Sequence, residues 1–103
     1  MSVLLEFAMF PTDKGDSVSQ YVSRIIKMID QSGVDYQLTP MGTIIETEEM
    51  SQALEIVQQA YDLLKSDSKR IYSSMNFDIR EGKNNRLTQK IQSIENKIGK
   101  VKH

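Results

Sequence analysis

The feature that most constrains the fold is a short chain reversal at residues 36–46, Tyr-Gln-Leu-Thr-Pro-Met-Gly-Thr-Ile-Ile-Glu. Pro40 restricts φ and Gly42 tolerates a positive φ, so the chain can turn back within a few residues. The β-branched and aromatic residues on either side favour extended backbone. The segment therefore predicts a β-hairpin, with its turn at Pro40-Met41-Gly42 and a second strand that starts at Thr43.

Two segments with helical periodicity flank this hairpin. Asp16 or Ser17 is predicted to cap the first helix and Thr47 the second, because their side-chain oxygens can accept hydrogen bonds from free backbone N–H groups. Gly33 predicts the end of the first helix. The apolar residues recur at one-turn spacing, which gives each helix a single buried stripe. They are Val18, Tyr21, Val22, Ile25, Ile26 and Ile29 in the first helix, and Met50, Ala53, Leu54, Val57, Ala60, Tyr61 and Leu64 in the second.

Residues 3–10 and 70–80 are predicted to be strands. The first is apolar on both faces, which indicates a central strand, and Pro11 ends it. The second alternates, and the face that carries its apolar residues is predicted to be buried. The residues on that face are Ile71, Ser73, Met75, Phe77 and Ile79. The order β-α-β-β-α-β, with both helices on one face of a four-stranded antiparallel sheet, predicts an α+β, ferredoxin-like domain over residues 1–103.

A further helix is predicted at the C-terminus. Its apolar residues, Leu87, Ile91, Ile94, Ile98 and Val101, repeat at steps of four and three. This narrow seam is expected to pack on the body of the domain or on a neighbouring subunit. The second face of the sheet is then expected to stay uncovered, and to be solvated, packed against another sheet, or used to hold a small ligand. The residues predicted on it are Leu4, Glu6, Ala8, Tyr72, Ser74, Asn76 and Asp78.

Composition narrows the classes of function. Thirteen Lys and Arg against fourteen Asp and Glu give a net charge of −1, which argues against a nucleic-acid or polybasic membrane surface. The predicted third strand also lacks the aromatic and basic residues with which related sheets bind RNA. The chain has no cysteine, so disulfides and thiolate chemistry are excluded. No segment resembles a signal peptide or a membrane span, and the expected location is the cytoplasm.

Few residues are candidates for chemistry. The only histidine, His103, is the last residue, where side chains are seldom ordered, so His-based catalysis and His-ligated zinc are not expected. Glu6 and Glu46 are of more interest, because each interrupts an apolar strand and a carboxylate there is costly to desolvate without a partner. Each either pairs with a Lys or Arg across an interface or contacts a cationic or amine-bearing ligand.

The hairpin segment resembles the Y-x-[LIV]-[ST]-P-M-G-T-x-[LIV]-E signature of the thiamine-binding MTH1187/YkoF-like family, also known as UPF0045 or DUF77. The resemblance implies a ferredoxin-like subunit, pairing of sheets into dimers and commonly a homotetramer. It also implies non-enzymatic binding of thiamine or its hydroxymethylpyrimidine part. Four further segments agree with the family: the strand ending at Phe10-Pro11, residues 17–22, Phe77-Asp-Ile-Arg80, and residues 87–91.

The resemblance and the residue chemistry together nominate a set of ligand-binding positions: Glu6, Ser17, Ser19, Tyr21, Tyr36, Met41, Gly42, Thr43 and Glu46. Thiamine is a cation with an aminopyrimidine, so carboxylates could offset its charge, hydroxyls could meet its ring nitrogens and tyrosines could stack on a ring. No catalytic residue, metal or cofactor is expected, and the expected partners are a small molecule and copies of the chain. Two alternatives stay open: an interaction protein whose open face serves only assembly, and an ACT-like regulatory module that binds amino acids.

Overall fold

The computed structural model describes residues 1–16 and 18–103. The elements are strand β1 (Ser2–Pro11), helix α1 (Ser19–Ser32), strands β2 (Asp35–Thr39) and β3 (Gly42–Thr47), helix α2 (Met50–Lys65), strand β4 (Ile71–Arg80) and helix α3 (Arg86–Ile98). The four strands form one antiparallel sheet in the order β2-β3-β1-β4. The predicted ferredoxin-like order with an additional C-terminal helix is therefore confirmed.

Strand β1 lies in the middle of the sheet, as its two apolar faces predicted. Leu5 faces Ile45 of β3 on one side and Phe77 of β4 on the other. The helices cover only the face that carries Leu5 and Ile45, called here the helix face. The opposite face, which carries Leu4 of β1 and Glu46 of β3, is called the open face. The buried core lies entirely on the helix side and comprises Val3, Leu5, Phe7, Met9, Ile25, Ile29, Ile45, Ala53, Ile56, Ala60 and Leu64.

The predicted hairpin joins β2 to β3. Thr39 pairs with Gly42 across Pro40 and Met41, so β3 begins one residue earlier than predicted. Gly42 has a φ of +156°, and a Cβ at this position would lie 2.9 Å from the carbonyl oxygen of Phe7. The turn therefore packs directly on the backbone of β1, which explains why a glycine stands there.

The predicted cap of α1 is wrong as far as it concerns Asp16, while Ser17 lies outside the described residues. The helix begins at Ser19 with Val18 as its N-cap, and no side chain among the described residues caps it. Because the helix starts later than predicted, its free N–H groups lie beyond Asp16. The predicted C-terminal end is confirmed, since Gly33 follows the helix with a φ of +81°.

The predicted cap of α2 is also wrong. Glu49, not Thr47, is the N-cap, and it forms a reciprocal capping box with Gln52. Thr47 remains in β3, where it pairs with Val3, and its hydroxyl donates to the carbonyl of Glu49 at 2.8 Å. Because β3 continues through Thr47, α2 begins later in the chain, at Met50.

Strand β4 does not have the buried face that its alternation predicted. Met75, Phe77 and Ile79 lie on the helix face but are 44%, 37% and 49% exposed. The reason is the position of the strand: β4 is an edge of the sheet, whereas α1 and α2 lie mainly over β1 and β3. Alternation in a sequence reports the two faces of a strand but not whether a helix reaches either of them.

Helix α3 lies on the open face, against β2 and β3. The expectation of an uncovered face is thus wrong at this end of the sheet. The packing is partial, because no residue of α3 is fully buried and both Ile94 and Ile98 are exposed. Within residues 1–16 and 18–103, no helix has the length and apolar character needed to cross a membrane.

Candidate functional site

The position of α3 on the open face is set by Glu46. This side chain is only 8% exposed, and its carboxylate accepts hydrogen bonds from the Ser2 hydroxyl at 2.6 Å and from the backbone N–H groups of Arg86 at 3.0 Å and Leu87 at 3.3 Å. The last two are free N–H groups of the first helical turn, where a negative charge is also favoured by the helix dipole. Glu46 therefore caps α3 from a neighbouring strand.

The surroundings of Glu46 favour its charged form. Burial acts to raise its pKa, but the hydrogen bonds from Ser2, Arg86 and Leu87, together with the positive charge of Arg86, outweigh that effect. The pKa of Glu46 consequently lies below its ordinary value. The carboxylate is thus ionised, and bound to α3, at neutral pH.

The side chain of Arg86 completes this attachment. Its Nε donates to the Ser2 hydroxyl at 2.9 Å, and its Nη2 donates to the carbonyls of Ser2, at 3.0 Å, and Asp78. Its Nη1 lies 3.1 Å from the Asp78 carboxylate. Ser2, Glu46, Asp78 and Arg86 form a network, called here the anchor network, that joins β1, β3 and β4 to the start of α3.

A cleft of about 650 Å³ opens between the anchored helix and strand β2. It combines three carboxylates, several amide side chains and apolar surface, the mixture that is typical of small-molecule sites. We call it the α3–β2 cleft. Its lining residues are Asp35, Tyr36, Gln37, Leu38, Glu46, Asn85, Leu87, Thr88, Ile91, Gln92, Glu95 and His103.

The chain beyond α3 folds back towards this cleft. The Glu95 carboxylate accepts a hydrogen bond from the N–H of Val101 at 3.0 Å, and the Nε2 atom of His103 lies 3.9 Å from the same oxygen. The structure thus places His103 at the cleft, in contrast to the expectation for a terminal side chain. Its neighbour there is the Glu95 carboxylate, which already accepts a hydrogen bond from the backbone of Val101.

Two of the nominated ligand-binding residues line the cleft, namely Tyr36 and Glu46. Tyr36 belongs to the helix face, and its hydroxyl donates to Asp30 of α1 at 2.7 Å, which raises the pKa of the phenol. Glu6 lies apart from the cleft, exposed in the middle of the open face between Ile44 and Asn76. The two carboxylates singled out in the sequence therefore share a face but have different surroundings.

The nominated residues of the hairpin motif are dispersed. Met41 is 86% exposed at the turn, Gly42 packs on β1, and Thr43 is buried on the helix face opposite Phe7. They surround the turn and do not line the α3–β2 cleft. Their placement gives the motif a clear role in shaping the hairpin, and ligand contact at these positions stays a prediction.

The nominated residues of the first helix lie elsewhere again. Ser19 is exposed at the start of α1, and Tyr21 is partly buried, with the Arg24 guanidinium 4.8 Å from the centre of its ring. Ser17 lies outside the described residues. Neither Ser19 nor Tyr21 is among the residues that line the cleft.

Sequence reasoning missed the partners that give Glu46 its role. It anticipated a Lys or Arg partner across an interface, whereas Arg86 belongs to the same chain and acts with Ser2. The available signal was the position of Arg86 directly before the apolar seam of α3, where an acidic cap from another element could bind. Nothing in the spacing of Ser2, Glu46 and Arg86 indicates that they meet.

Known proteins with similar sequences place this geometry in a family. The model of the thiamine-binding protein family matches residues 5–95, which include the hairpin and most of the cleft. The chain belongs to this family. A UPF0045 protein of Mycobacterium bovis is 30% identical over 95 residues, covering 92% of this chain and 93% of the relative. The UPF0045 protein YqgV of Bacillus subtilis is 31% identical over 83 residues, covering 76% and 79%.

Solved structures agree with the fold. A protein of Methanocaldococcus jannaschii, MJ1052, superposes with a TM-score of 0.80 at 29% identity, covering 90% of this chain and 95% of that one. A Thermotoga maritima protein, described as a candidate thiamine biosynthesis/salvage protein, has a TM-score of 0.78 at 19% identity over 91% and 99% of the two chains. The family resemblance is confirmed, and membership in a family of this description indicates a small-molecule-binding protein.

Proposed function

We propose that this protein binds thiamine, or its hydroxymethylpyrimidine part, in the α3–β2 cleft without catalysing a reaction. We further propose that it acts as a homo-oligomer in the cytoplasm. Membership in the thiamine-binding protein family supports the ligand class. The observation that carries the location is the acidic character of the cleft, where Asp35, Glu46 and Glu95 stand among apolar and amide side chains.

The chemistry of thiamine suits this lining. Its thiazolium ring is a cation, which the carboxylates of Asp35 and Glu95 would stabilise in a partly desolvated site. Its aminopyrimidine ring is flat and apolar on its faces, and carries an amine and ring nitrogens at its edge. Leu87 and Ile91 offer apolar surface, and the amide of Gln37 can both donate and accept hydrogen bonds. Glu46 already accepts three hydrogen bonds, so it would contribute mainly its charge.

The residues of the cleft also support binding without catalysis. Among the described residues that line it, the hydroxyl of Thr88 donates to the carbonyl of Asn85 at 3.2 Å and that of Tyr36 donates to Asp30. The partner of Thr88 is a backbone carbonyl, which is not a general base. The partner of Tyr36 is a carboxylate, but this contact raises the pKa of the phenol and so disfavours the phenolate that would act as a nucleophile.

Strand β4 supports the proposal of a homo-oligomer. It is a ten-residue edge strand whose outer backbone groups are unpaired within the sheet, and Met75, Phe77 and Ile79 are exposed beside that edge. Long apolar edges of this kind favour association with another strand. Antiparallel pairing with the β4 of a second copy would extend the sheet and cover these side chains. Sedimentation of the Phe77→Glu variant, compared with wild type, tests this: a lighter species is expected, and an unchanged mass would contradict it.

Isothermal titration of thiamine into ligand-free protein tests the proposed ligand. We expect saturable binding of micromolar affinity or better, with one thiamine per chain. Asp35→Asn is expected to weaken binding about tenfold, which corresponds to about 1.4 kcal/mol. The control is Glu6→Gln, which removes a carboxylate from the same face but outside the cleft and is expected to leave the affinity unchanged.

Other outcomes of these measurements would favour a different binding site or one of the alternative functions. Weakening by Glu6→Gln but not by Asp35→Asn would move the site to the middle of the open face. An absence of heat and of thermal stabilisation with thiamine would reject the proposal. If thiamine did not bind but Phe77→Glu still dissociated the oligomer, the result would favour a role in assembly alone. A preference for amino acids in a thermal-shift screen would favour a regulatory module.

A further inference from the structure

We propose a second ligand site, on the side of α3 opposite the α3–β2 cleft, that binds a small phosphate-bearing anion. Here the open face, the end of β4 and the first turns of α3 enclose a concavity of about 330 Å³, called here the basic concavity. Its polar lining consists of Asp78, Arg80, Lys83, Arg86, Gln89 and Lys90. The site is separate from the thiamine site proposed above.

The charges of the basic concavity are not balanced by the protein. Arg86 is neutralised by the anchor network, in which it contacts Asp78 and lies beside the Glu46 carboxylate. The remaining cations, Arg80, Lys83 and Lys90, take part in none of the ion pairs found in residues 1–16 and 18–103. Three positive charges therefore line one small volume whose single carboxylate is already paired, an arrangement that attracts an anion.

The whole chain shows the same separation of charge. Residues 1–79 carry six Lys and Arg against twelve Asp and Glu, whereas residues 80–103 carry seven against two. The first part thus has a net charge of −6 and the second of +5, which the total of −1 conceals. The total charge argues against a broad nucleic-acid surface but does not bear on a compact anion site formed by the C-terminal segment.

The unpaired cations come from three different elements. Arg80 is the last residue of β4, on the open face opposite Ser2. Lys83 belongs to the loop that Gly82 turns with a φ of +70°, and Lys90 lies one helical turn beyond Arg86. Donors that converge from several directions suit a phosphate, which presents oxygens on all sides. An arginine can contact two of them at once, while the lysines act as point charges.

The framework of this site is held in place without a ligand. The anchor network fixes the start of α3 through Ser2 on β1 and Asp78 on β4, so the elements that carry the three cations are joined before an anion arrives. Preorganisation of this kind lowers the ordering cost of binding. The first turn of α3 lies between the basic concavity and the cleft, and the two sites therefore require separate tests.

Isothermal titration of inorganic pyrophosphate into the full-length protein tests the proposal. We expect saturable binding at one site per chain. The Lys83→Gln/Lys90→Gln variant is expected to bind at least about tenfold more weakly. The matched control is Lys97→Gln/Lys100→Gln, which removes the same charge from exposed positions outside the concavity and is expected to change the affinity less than about twofold. Equal weakening in both variants, or no saturable binding by wild type, would overturn the proposal.

Two further measurements make the result specific. Tighter binding of a single-stranded oligonucleotide than of pyrophosphate, with equal losses in the two variants, would indicate an extended nucleic-acid surface and would overturn the proposal. Thiamine affinity of the Lys83→Gln/Lys90→Gln variant is expected to equal that of wild type, so failure of either site leaves the other testable. Circular dichroism and Tm check that both variants, which alter only exposed side chains, remain folded.

Discussion

The two faces of the sheet differ in the interactions that hold helices against them. On the helix face, Leu5 and Ile45 are completely buried under α1 and α2, and the contacts are apolar and without preferred direction. On the open face, α3 is held at its first turn by the directed hydrogen bonds of Glu46 and Arg86, while its apolar seam is only partly buried. The same four strands thus carry a packed core on one side and a polar attachment on the other.

This difference separates stability from ligand binding. Apolar packing tolerates exchanges that conserve volume, and removal of a buried group mainly costs free energy of unfolding. A polar attachment depends on particular atoms, and removal of one partner leaves the others unsatisfied. We therefore expect substitutions on the helix face to act on the whole fold, and substitutions on the open face to act on α3 and on the two sites that flank it.

The largest expected effect is that of Leu5→Ala, which leaves a cavity in the core. The free energy of unfolding is expected to fall by about 2–5 kcal/mol, measured by denaturant titration. The control is Leu4→Ala on the same strand, because Leu4 lies on the open face and is only partly buried. Equal losses for the two variants would show that the faces contribute alike and would contradict the comparison.

The next largest effect is expected for Glu46→Ala. It removes the acceptor for Ser2, Arg86 and Leu87 and is expected to cost about 1.5–3 kcal/mol, the range for hydrogen bonds to a charged group. Hydrogen exchange should increase in the backbone of α3 while α1 and α2 stay protected. Uniform loss of protection in all three helices would show instead that Glu46 supports the core.

The pH dependence of stability in the wild-type protein tests the same role of Glu46. Because the folded-state pKa of Glu46 is lowered, its stabilising contribution is complete above the ordinary carboxyl pKa and is lost as the pH falls through the lower folded-state pKa. The protection factors of the α3 amides, taken relative to the unfolded chain at the same pH, should therefore fall on acidification, and Glu46→Gln should remove much of this pH dependence. An identical acid profile for wild type and the variant would contradict the assigned role.

A smaller effect is expected for Gly42→Ala, at the start of β3 where the hairpin packs on β1. The new Cβ would approach the carbonyl oxygen of Phe7 to 2.9 Å, and we expect a loss of about 1–2 kcal/mol in thermal unfolding. Gly15→Ala is the control, since Gly15 has a φ of +73° but nothing within 4 Å of an added Cβ. A loss no larger than that of the control would assign the effect to backbone conformation alone.

The smallest effect is expected for Glu6→Gln. The Glu6 side chain is exposed and makes no hydrogen bond or ion pair in the described residues, so the free energy of unfolding should change by less than about 0.5 kcal/mol. Denaturant titration measures it beside Glu46→Ala. A larger loss would show that a carboxylate in the middle of the open face is buried in the oligomer.

The sequence by itself determined the order of elements, the central position of β1 and the hairpin, because these depend on local periodicity and on turn residues such as Pro40 and Gly42. The same local information determined the family, through the motif that surrounds that turn.

Only the tertiary structure decided which apolar faces are covered and where charges meet. The alternation of β4 could not show that α1 and α2 leave Met75 and Phe77 exposed, because coverage depends on where separate elements come to lie. The role of Glu46 likewise depends on Ser2 and Arg86, which are 44 and 40 positions away in the chain. Periodicity reports on neighbours within a few residues, whereas the anchor network and the α3–β2 cleft are formed by contacts between distant segments.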